Sequence, residues 1–167
     1  METLTTFLET LPVAEWMRVS RWGYALASTA HVAGLALLVG SILPLDLRLL
    51  GIWRQGVPLA PLIRVLVPCA ASGLALALPS GILLFLAGPA DYAATPLFLA
   101  KMALVALGIA SALLTHALAA RGRQPDADMA TTLAGLSPGR LRLAGAVSLV
   151  AWSSALLCGR LLAFTGE

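Results

Sequence analysis

Four long apolar segments alternate with short polar ones along this chain. They predict membrane-spanning helices at about residues 22–45, 62–86, 96–119 and 141–164, because a helix needs about 20 predominantly apolar residues to cross a bilayer. Charged residues lie mostly outside these segments. The fold class expected is therefore all-α: an integral membrane four-helix bundle, with residues 1–167 forming a single transmembrane domain in contact with the lipid bilayer.

A short amphipathic region precedes the first span. Apolar residues between positions 4 and 11 recur at the spacing of one helical face, and polar residues take the other face. The region of about residues 3–20 is expected to lie at the membrane interface as helix, interrupted at Pro12, with Trp16 and Trp22 at interfacial depth. The acidic start, METLTTFLET, indicates no cleaved signal peptide, so the first span is expected to be its own insertion signal.

Proline and polar residues predict the irregular parts of the chain. Pro79 lies inside the second span and leaves the Ala75 carbonyl without its helical donor, which predicts a bend. The stretch DLRLLGIWRQG after the first span reads as a polar connection, and GPADYAATP reads as a loop. Residues 126–136 are expected to form a short surface helix.

The composition is typical of a membrane protein and argues against nucleic acid as a partner. Hydrophobic residues make up 59% of the chain and charged residues 11%, whereas a soluble domain is about 25% charged. The net charge of +3 is dispersed over the connections, so nucleic acid is not an expected partner. Cys69 and Cys158 lie in apolar segments without a CxxC motif, so neither a disulfide nor a thiolate metal site is expected.

The distribution of lysine and arginine predicts the orientation. Seven of the 11 lie in or beside the connections that follow the first and third spans. Because positive residues collect on the cytoplasmic side, both connections are predicted to be cytoplasmic and both termini to lie outside. The seven are Arg48, Arg54, Arg64, Arg121, Arg123, Arg140 and Arg142.

Three ionisable residues are predicted to share the outer half of the membrane. At about 1.5 Å of rise per residue, His31 lies about 14 Å from the outer end of its span, Lys101 about 8 Å and Arg160 about 6 Å. His116 lies about 30 Å from that side by the same measure. The two histidines should therefore not bracket one metal ion, and His116 is expected to be solvated or to face lipid.

The three residues of the outer half fit an anionic, planar cofactor. An imidazole is an axial ligand of haem iron, and arginine and lysine pair with carboxylates such as haem propionates. Ser28 and Gly34 are small and share a helical face with His31, which leaves room beside it for a helix or a flat ligand. The predicted cofactor-binding residues are His31, Lys101, Arg160, Gly34 and Ser28, with His31 on the metal and the second axial position taken by Lys101, by water or by nothing.

The residues alone leave two other interpretations open. An intramembrane histidine often hydrogen-bonds a neighbouring helix, and a lysine or arginine near a span end often reaches towards the headgroups. The chain would then be a cofactor-free structural or accessory subunit of a membrane complex or a homo-oligomer. Alternatively, the Pro79 bend and Lys101 would belong to the pathway of a small-solute or copper carrier.

Short motifs at these residues carry a family resemblance. His31-x-x-Gly34, TPLFLAKMAL around Lys101, and Gly159-Arg160 resemble a family of small four-span bacterial inner-membrane proteins, over nearly the whole chain from Trp16. More distantly, the first-span histidine and the third-span lysine are similar to the HemJ-type protoporphyrinogen oxidases and to the membrane domain of CopD-type copper proteins. The HemJ resemblance implies haem b, with His31 as a ligand and Lys101 in the same site.

The leading interpretation is a haem-b-binding protein of the bacterial inner membrane with both termini in the periplasm. It would transfer electrons between a periplasmic redox partner and the membrane, or serve as a redox accessory subunit. The residues do not decide whether it is an enzyme.

Overall fold

The computed structural model describes residues 2–53, 56–122 and 126–165, and all regular structure within these ranges is helical. Four of the helices are long and apolar enough to cross a membrane, which indicates a multi-pass membrane protein whose apolar surface contacts lipid. The helices are α1 Glu2–Glu9, α2 Pro12–Val19, α3 Arg21–Leu49, α4 Leu59–Leu86, α5 Pro89–Ala94, α6 Pro96–Arg121, α7 Met129–Ala134 and α8 Pro138–Thr165.

The four long helices, α3, α4, α6 and α8, confirm the predicted spans and the all-α fold. The largest difference between a predicted span and the observed helix is at the C-terminal end of α3, which continues through Pro44 to Leu49. Asp46 and Arg48 therefore belong to a helix, and the prediction of a polar connection beginning at Asp46 is wrong. Arg54 and Arg123, which entered the orientation argument, lie outside the described residues.

The stretch predicted as a loop after the second span is also partly helical. Pro89 occupies the first turn of α5, where a missing backbone N–H costs nothing. Asp91 lies in that same turn and complements the positive end of the helix dipole. The bend at Pro79 stays a prediction, since α4 is assigned as one continuous helix through both of its internal prolines.

The amphipathic region forms two helices that break before Pro12, as expected. The side chains of Ala14 and Met17 are almost completely buried. α1 packs against α5, and α2 packs against α3 and α4. Because a methyl group added to Gly23 would lie 2.7 Å from the Trp16 indole, the ring rests directly on the start of α3. The two helices thus cover one end of the bundle, here called the α5 end.

Two closely packed helix pairs build the bundle. In the first pair, a methyl group on Gly34 of α3 would lie 2.7 Å from the Ala77 amide nitrogen, and one on Gly73 of α4 would lie 2.5 Å from that of Leu38. The backbones of α3 and α4 therefore touch, which only small residues permit. In the second pair, α6 and α8, the Trp152 indole occupies the space above Gly108.

The two pairs meet at the opposite end of the bundle, here called the α7 end. A methyl group on Gly145 of α8 would lie 2.9 Å from Leu49 Cβ on α3. Beside this contact, the buried side chain of Asp46 lies near Ser148 of α8, and its Oδ2 atom has no hydrogen-bond partner within the described ranges. α4 and α6 are joined by α7 through a small core that comprises Ile63, Ala119, Ala130 and Leu133.

A helix forms within residues 126–136, as predicted, but its expected position on the surface is wrong, because two of the side chains of α7 are buried. Asp128 caps it, accepting a hydrogen bond from the Thr131 amide at 2.9 Å. The same carboxylate accepts from Arg64 Nε at 3.0 Å, which ties α7 to α4. Helix α7 is therefore a wedge between α4 and α6.

The Asp128 contacts predict a stability difference that depends on pH. Hydrogen bonds from Thr131, and then the Arg64 contact, lower the Asp128 pKa from 3.8 to about 2. Because the folded state favours the carboxylate, its stabilisation is complete above the usual pKa and is lost as pH falls towards about 2. Asp128→Ala should therefore lower the free energy of unfolding near neutral pH. At the acid end of the pH range, the variant and the wild type should have the same free energy of unfolding.

Denaturant titrations in detergent over a pH series would measure this difference. Asp126→Ala, which removes an exposed carboxylate two positions away, should change the free energy of unfolding little at any pH. A gap between Asp128→Ala and the wild type that stays constant down to the acid end would contradict the assignment.

Candidate functional site

A cavity of about 630 Å³ lies between the two helix pairs, towards the α5 end. Its volume falls within the range of about 300–1,000 Å³ typical of small-molecule sites. Its walls are mainly apolar, with a few polar and charged groups contributed by α3, α5, α6 and α8. The most informative of these groups are His31, Lys101 and Arg160.

His31 is held in a defined orientation by α4. Its Nδ1 atom lies 2.9 Å from the Ala77 carbonyl oxygen and 3.4 Å from the Ser80 hydroxyl oxygen. The carbonyl can only accept, so Nδ1 carries a proton, and in the neutral imidazole the Nε2 lone pair is available. Metal-bound histidines commonly donate their other ring nitrogen to a backbone carbonyl in this way.

Two neighbours on α4 support this orientation. The Ser80 side chain is buried and donates to the Leu76 carbonyl at 2.6 Å. A methyl group on Gly81 would lie 3.0 Å from His31 Cε1, so glycine at this position leaves space for the ring. The sequence alone does not identify Ser80 and Gly81 as neighbours of His31, because nothing in their spacing points to a histidine on another helix.

Lys101 and Arg160 bring positive charge to the cavity wall. Lys101 is half-buried, and a methyl group on Gly159 would lie 3.3 Å from its Nζ atom, so glycine makes room for the amine. Lys101 and His31 line the same cavity from different helices. Arg160 is exposed, and its guanidinium carbon lies 4.8 Å from the centroid of the Phe164 ring, which is cation–π geometry.

The structure brings four of the five predicted site residues to this cavity. Ser28, His31, Lys101 and Arg160 all line it. Gly34 is absent from the lining and lies in the contact between α3 and α4 instead.

His116 also lies away from the cavity. Its Nδ1 atom bonds the Ala112 carbonyl within α6, at 2.9 Å. This position agrees with the depth predicted for it.

An aromatic cluster that sequence reasoning missed closes the α5 end of the cavity. The rings of Phe85 and Phe98 stack with centroids 5.3 Å apart, and Tyr92 lies 5.7 Å from Phe98 and 6.2 Å from Phe85. Burial raises the pKa of the Tyr92 phenol, which therefore remains a neutral hydrogen-bond donor near neutral pH. The cluster was missed because α5, which carries Tyr92, was read as a loop.

Trp152 is a second lining residue that the sequence did not single out. It is buried, and its ring packs over Gly108. A glycine in the middle of an apolar span was the available signal, since such glycines mark close approach of a neighbour.

Among the residues that line the cavity, His31 carries the one imidazole. Within the described ranges, no three His, Cys, Asp or Glu side chains come together to hold a metal ion. Cys69 and Cys158, both half-buried, are free.

Comparison with known proteins identified no relative of this chain. No protein-family profile matches the chain, and the searches of curated proteins and of solved structures gave no match.

Proposed function

We propose that this protein binds haem b in the cavity between its two helix pairs, with His31 as an axial ligand. The observation that carries the proposal is the hydrogen bond from His31 Nδ1 to the Ala77 carbonyl, 2.9 Å long, within an apolar cavity. It leaves the Nε2 atom of a neutral imidazole available for iron.

The remaining lining residues fit the other parts of the cofactor. Lys101 and Arg160 would pair with the propionates, because arginine binds carboxylates through two donors and lysine acts as a compact charge. The apolar side chains of the lining would cover the macrocycle, among them Val32, Leu35, Val105, Ala155 and Leu156. The second axial position is left to Lys101, to water or to nothing.

Haem would supply one-electron exchange, and the protein would hold and shield it. We assign the protein to electron transfer, or to a redox accessory role, in the bacterial inner membrane, with a periplasmic partner. The resemblance to four-span bacterial membrane proteins and the lysine and arginine distribution support this placement.

An absorption spectrum tests the haem proposal directly. Protein purified in detergent from haem-replete cells should show a Soret band and about one haem per chain, with redox-sensitive bands at longer wavelength. Protein from haem-depleted cells, reconstituted with haemin, serves as the matched sample. A colourless, folded protein that stays colourless after reconstitution would overturn the proposal and favour the cofactor-free subunit.

Arg160 and Lys101 should affect retention of the haem in separable ways. Arg160→Ala should leave the spectrum unchanged but weaken retention by about tenfold, because a charge-assisted pair with a carboxylate is lost. Transfer of haem to apomyoglobin measures that retention. Arg142→Ala, an exposed arginine near the other end of α8, is the control and should have no effect.

Lys101→Ala separates two roles for the amine. A shifted spectrum would identify Lys101 as the second iron ligand, whereas faster haem loss with an unchanged spectrum would identify it as a propionate partner. Wild-type retention together with a wild-type spectrum would exclude Lys101 from the site.

The orientation has its own test. With four spans, both described ends of the chain lie at the α5 end. The excess of positive residues on the other side supports a periplasmic location for the α5 end. A reporter active only in the periplasm should therefore give signal when fused after Glu167 and none when fused at Gln124. The reverse result would invert the orientation.

A further inference from the structure

The mouth of the cavity is marked by lining residues that are also exposed. They lie on α3 and α8 and on no other helix: Val32, Ala36 and Gly40 on α3, and Leu156 and Arg160 on α8. The lining residues of α4, α5 and α6 are at most half-exposed. This set, here called the lateral mouth, therefore forms the exposed rim of the cavity on α3 and α8.

The lateral mouth lies at the depth of the hydrocarbon. Val32 and Gly40 are about 17 Å and 29 Å along α3 from Arg21, at about 1.5 Å per residue. Leu156 and Arg160 lie within the apolar segment of α8. An opening at this position faces acyl chains.

The two ends of the cavity are covered by other parts of the described chain. The cluster of Phe85, Tyr92 and Phe98 lies over the α5 end, with α1 packed against α5 beyond it. At the α7 end, α7 fills the space between α4 and α6, and Gly145 lets α8 touch α3. Direct entry from either aqueous side would require one of these packed contacts to open.

The cavity is charged at one end and apolar at the other, as a lipid leaflet is charged at its headgroups and apolar at its acyl chains. Lys101 and Arg160 lie near the α5 end, whereas Val39, Gly40 and Val105 line the deeper part without charge. A ligand would therefore lie with an anionic group towards the α5 end and an apolar body towards the membrane centre.

Building on the haem proposal, we infer that the ligand of this cavity is an anionic amphiphile that enters from within the bilayer through the lateral mouth. Haem, with two carboxylates on an apolar macrocycle, belongs to this class. The site then exchanges with ligand dissolved in the leaflet at the α5 end, and not with ligand free in water.

Loading kinetics in liposomes test the route. Haem-free protein receives haemin either pre-dissolved in the vesicle membrane or offered from water on albumin, and growth of the Soret band is followed. Ala36→Phe, at the mouth, should slow loading from the membrane by about tenfold or more, because the ring fills the opening. Ala33→Phe, on the exposed surface of α3 away from the cavity, should load like the wild type.

A second pair of variants tests whether slower loading comes from the blocked opening or from a local defect at position 36. Leu156→Phe lies on the α8 side of the mouth, and Leu157→Phe is its exposed neighbour outside the cavity. Equal loading rates within both pairs, or faster loading from albumin than from the membrane, would overturn the lateral route. Slower loading in both mouth variants supports it.

A measurement without haem separates this inference from the haem proposal. In a variant that keeps Trp152 and carries Trp16→Phe, Trp22→Phe and Trp53→Phe, a brominated fatty acid in the vesicles should quench the remaining fluorescence. Ala36→Phe should reduce the quenching at least severalfold, and Ala33→Phe should not. If the wild type binds no haem but shows this pattern, the haem proposal fails and the amphiphile site stands; if neither mouth variant changes the quenching, the inference fails.

Discussion

Replacing His31 by alanine should abolish the Soret band of the purified protein. The imidazole is the lining group proposed as the axial ligand of iron, and its removal also deletes the hydrogen bond that α4 provides through Ala77. The matched control is His116→Ala, because that histidine bonds the Ala112 carbonyl within its own helix and does not line the cavity. Spectra at equal protein concentration, with gel filtration to verify folding, measure the effect.

Rescue by free imidazole sharpens this comparison. The His31→Ala cavity would have room for an added imidazole, so millimolar imidazole should restore part of the Soret absorbance if the lost group was an iron ligand. Loss of absorbance in His116→Ala, with His31→Ala unaffected, would refute the assignment. An unrescued loss accompanied by aggregation would show instead that the histidine stabilises the contact between α3 and α4.

Adding one methyl group at Gly34 should substantially lower the free energy of unfolding of the protein. That methyl would lie 2.7 Å from the Ala77 amide nitrogen and 2.8 Å from the Gly73 carbonyl oxygen, and backbone atoms cannot move aside as a side chain can. Gly34→Ala should therefore destabilise the protein by about 1–3 kcal/mol, the usual cost of overpacking. Unfolding in mixed detergent micelles, followed by circular dichroism, would measure the free energy of unfolding.

Gly40→Ala is the control on the same helix. A methyl there would meet nothing within 4 Å, so the change should be neutral or stabilise α3 by up to about 1 kcal/mol through helix propensity. Similar unfolding of the two variants would show that the backbones of α3 and α4 are not in the contact described.

The sequence predicted the helices well and the contacts between them poorly. Length and hydropathy located α3, α4, α6 and α8, because the bilayer imposes the same requirement on every span. Depth along each helix also brought His31, Lys101 and Arg160 together, since rise per residue is nearly constant. Rotation about the helix axis is not determined in this way, so Gly34 was predicted on the cavity side and instead packs against α4.

Asp46, at the α7 end, shows again that the sequence does not identify the neighbour of a helix face. Asp46 follows Pro44 and looked like the start of a connection, but α3 continues and buries its carboxyl against Ser148 of α8. Only the neighbouring helix decides whether such a residue is solvated, and one sequence does not identify that neighbour. The aromatic cluster of Phe85, Tyr92 and Phe98 escaped prediction because its members come from three helices, one of which, α5, was predicted as a loop.

The two helix pairs have a consequence for how the chain assembles during synthesis. α3 and α4 are neighbours in sequence, as are α6 and α8 apart from the short α7, so each pair can form as a hairpin soon after its second helix enters the membrane. The cavity exists only after the two hairpins associate. A ligand that bridges His31 on the first hairpin and Lys101 on the second would therefore shift the balance towards the joined state, and the occupied site would act as a checkpoint for completed biogenesis.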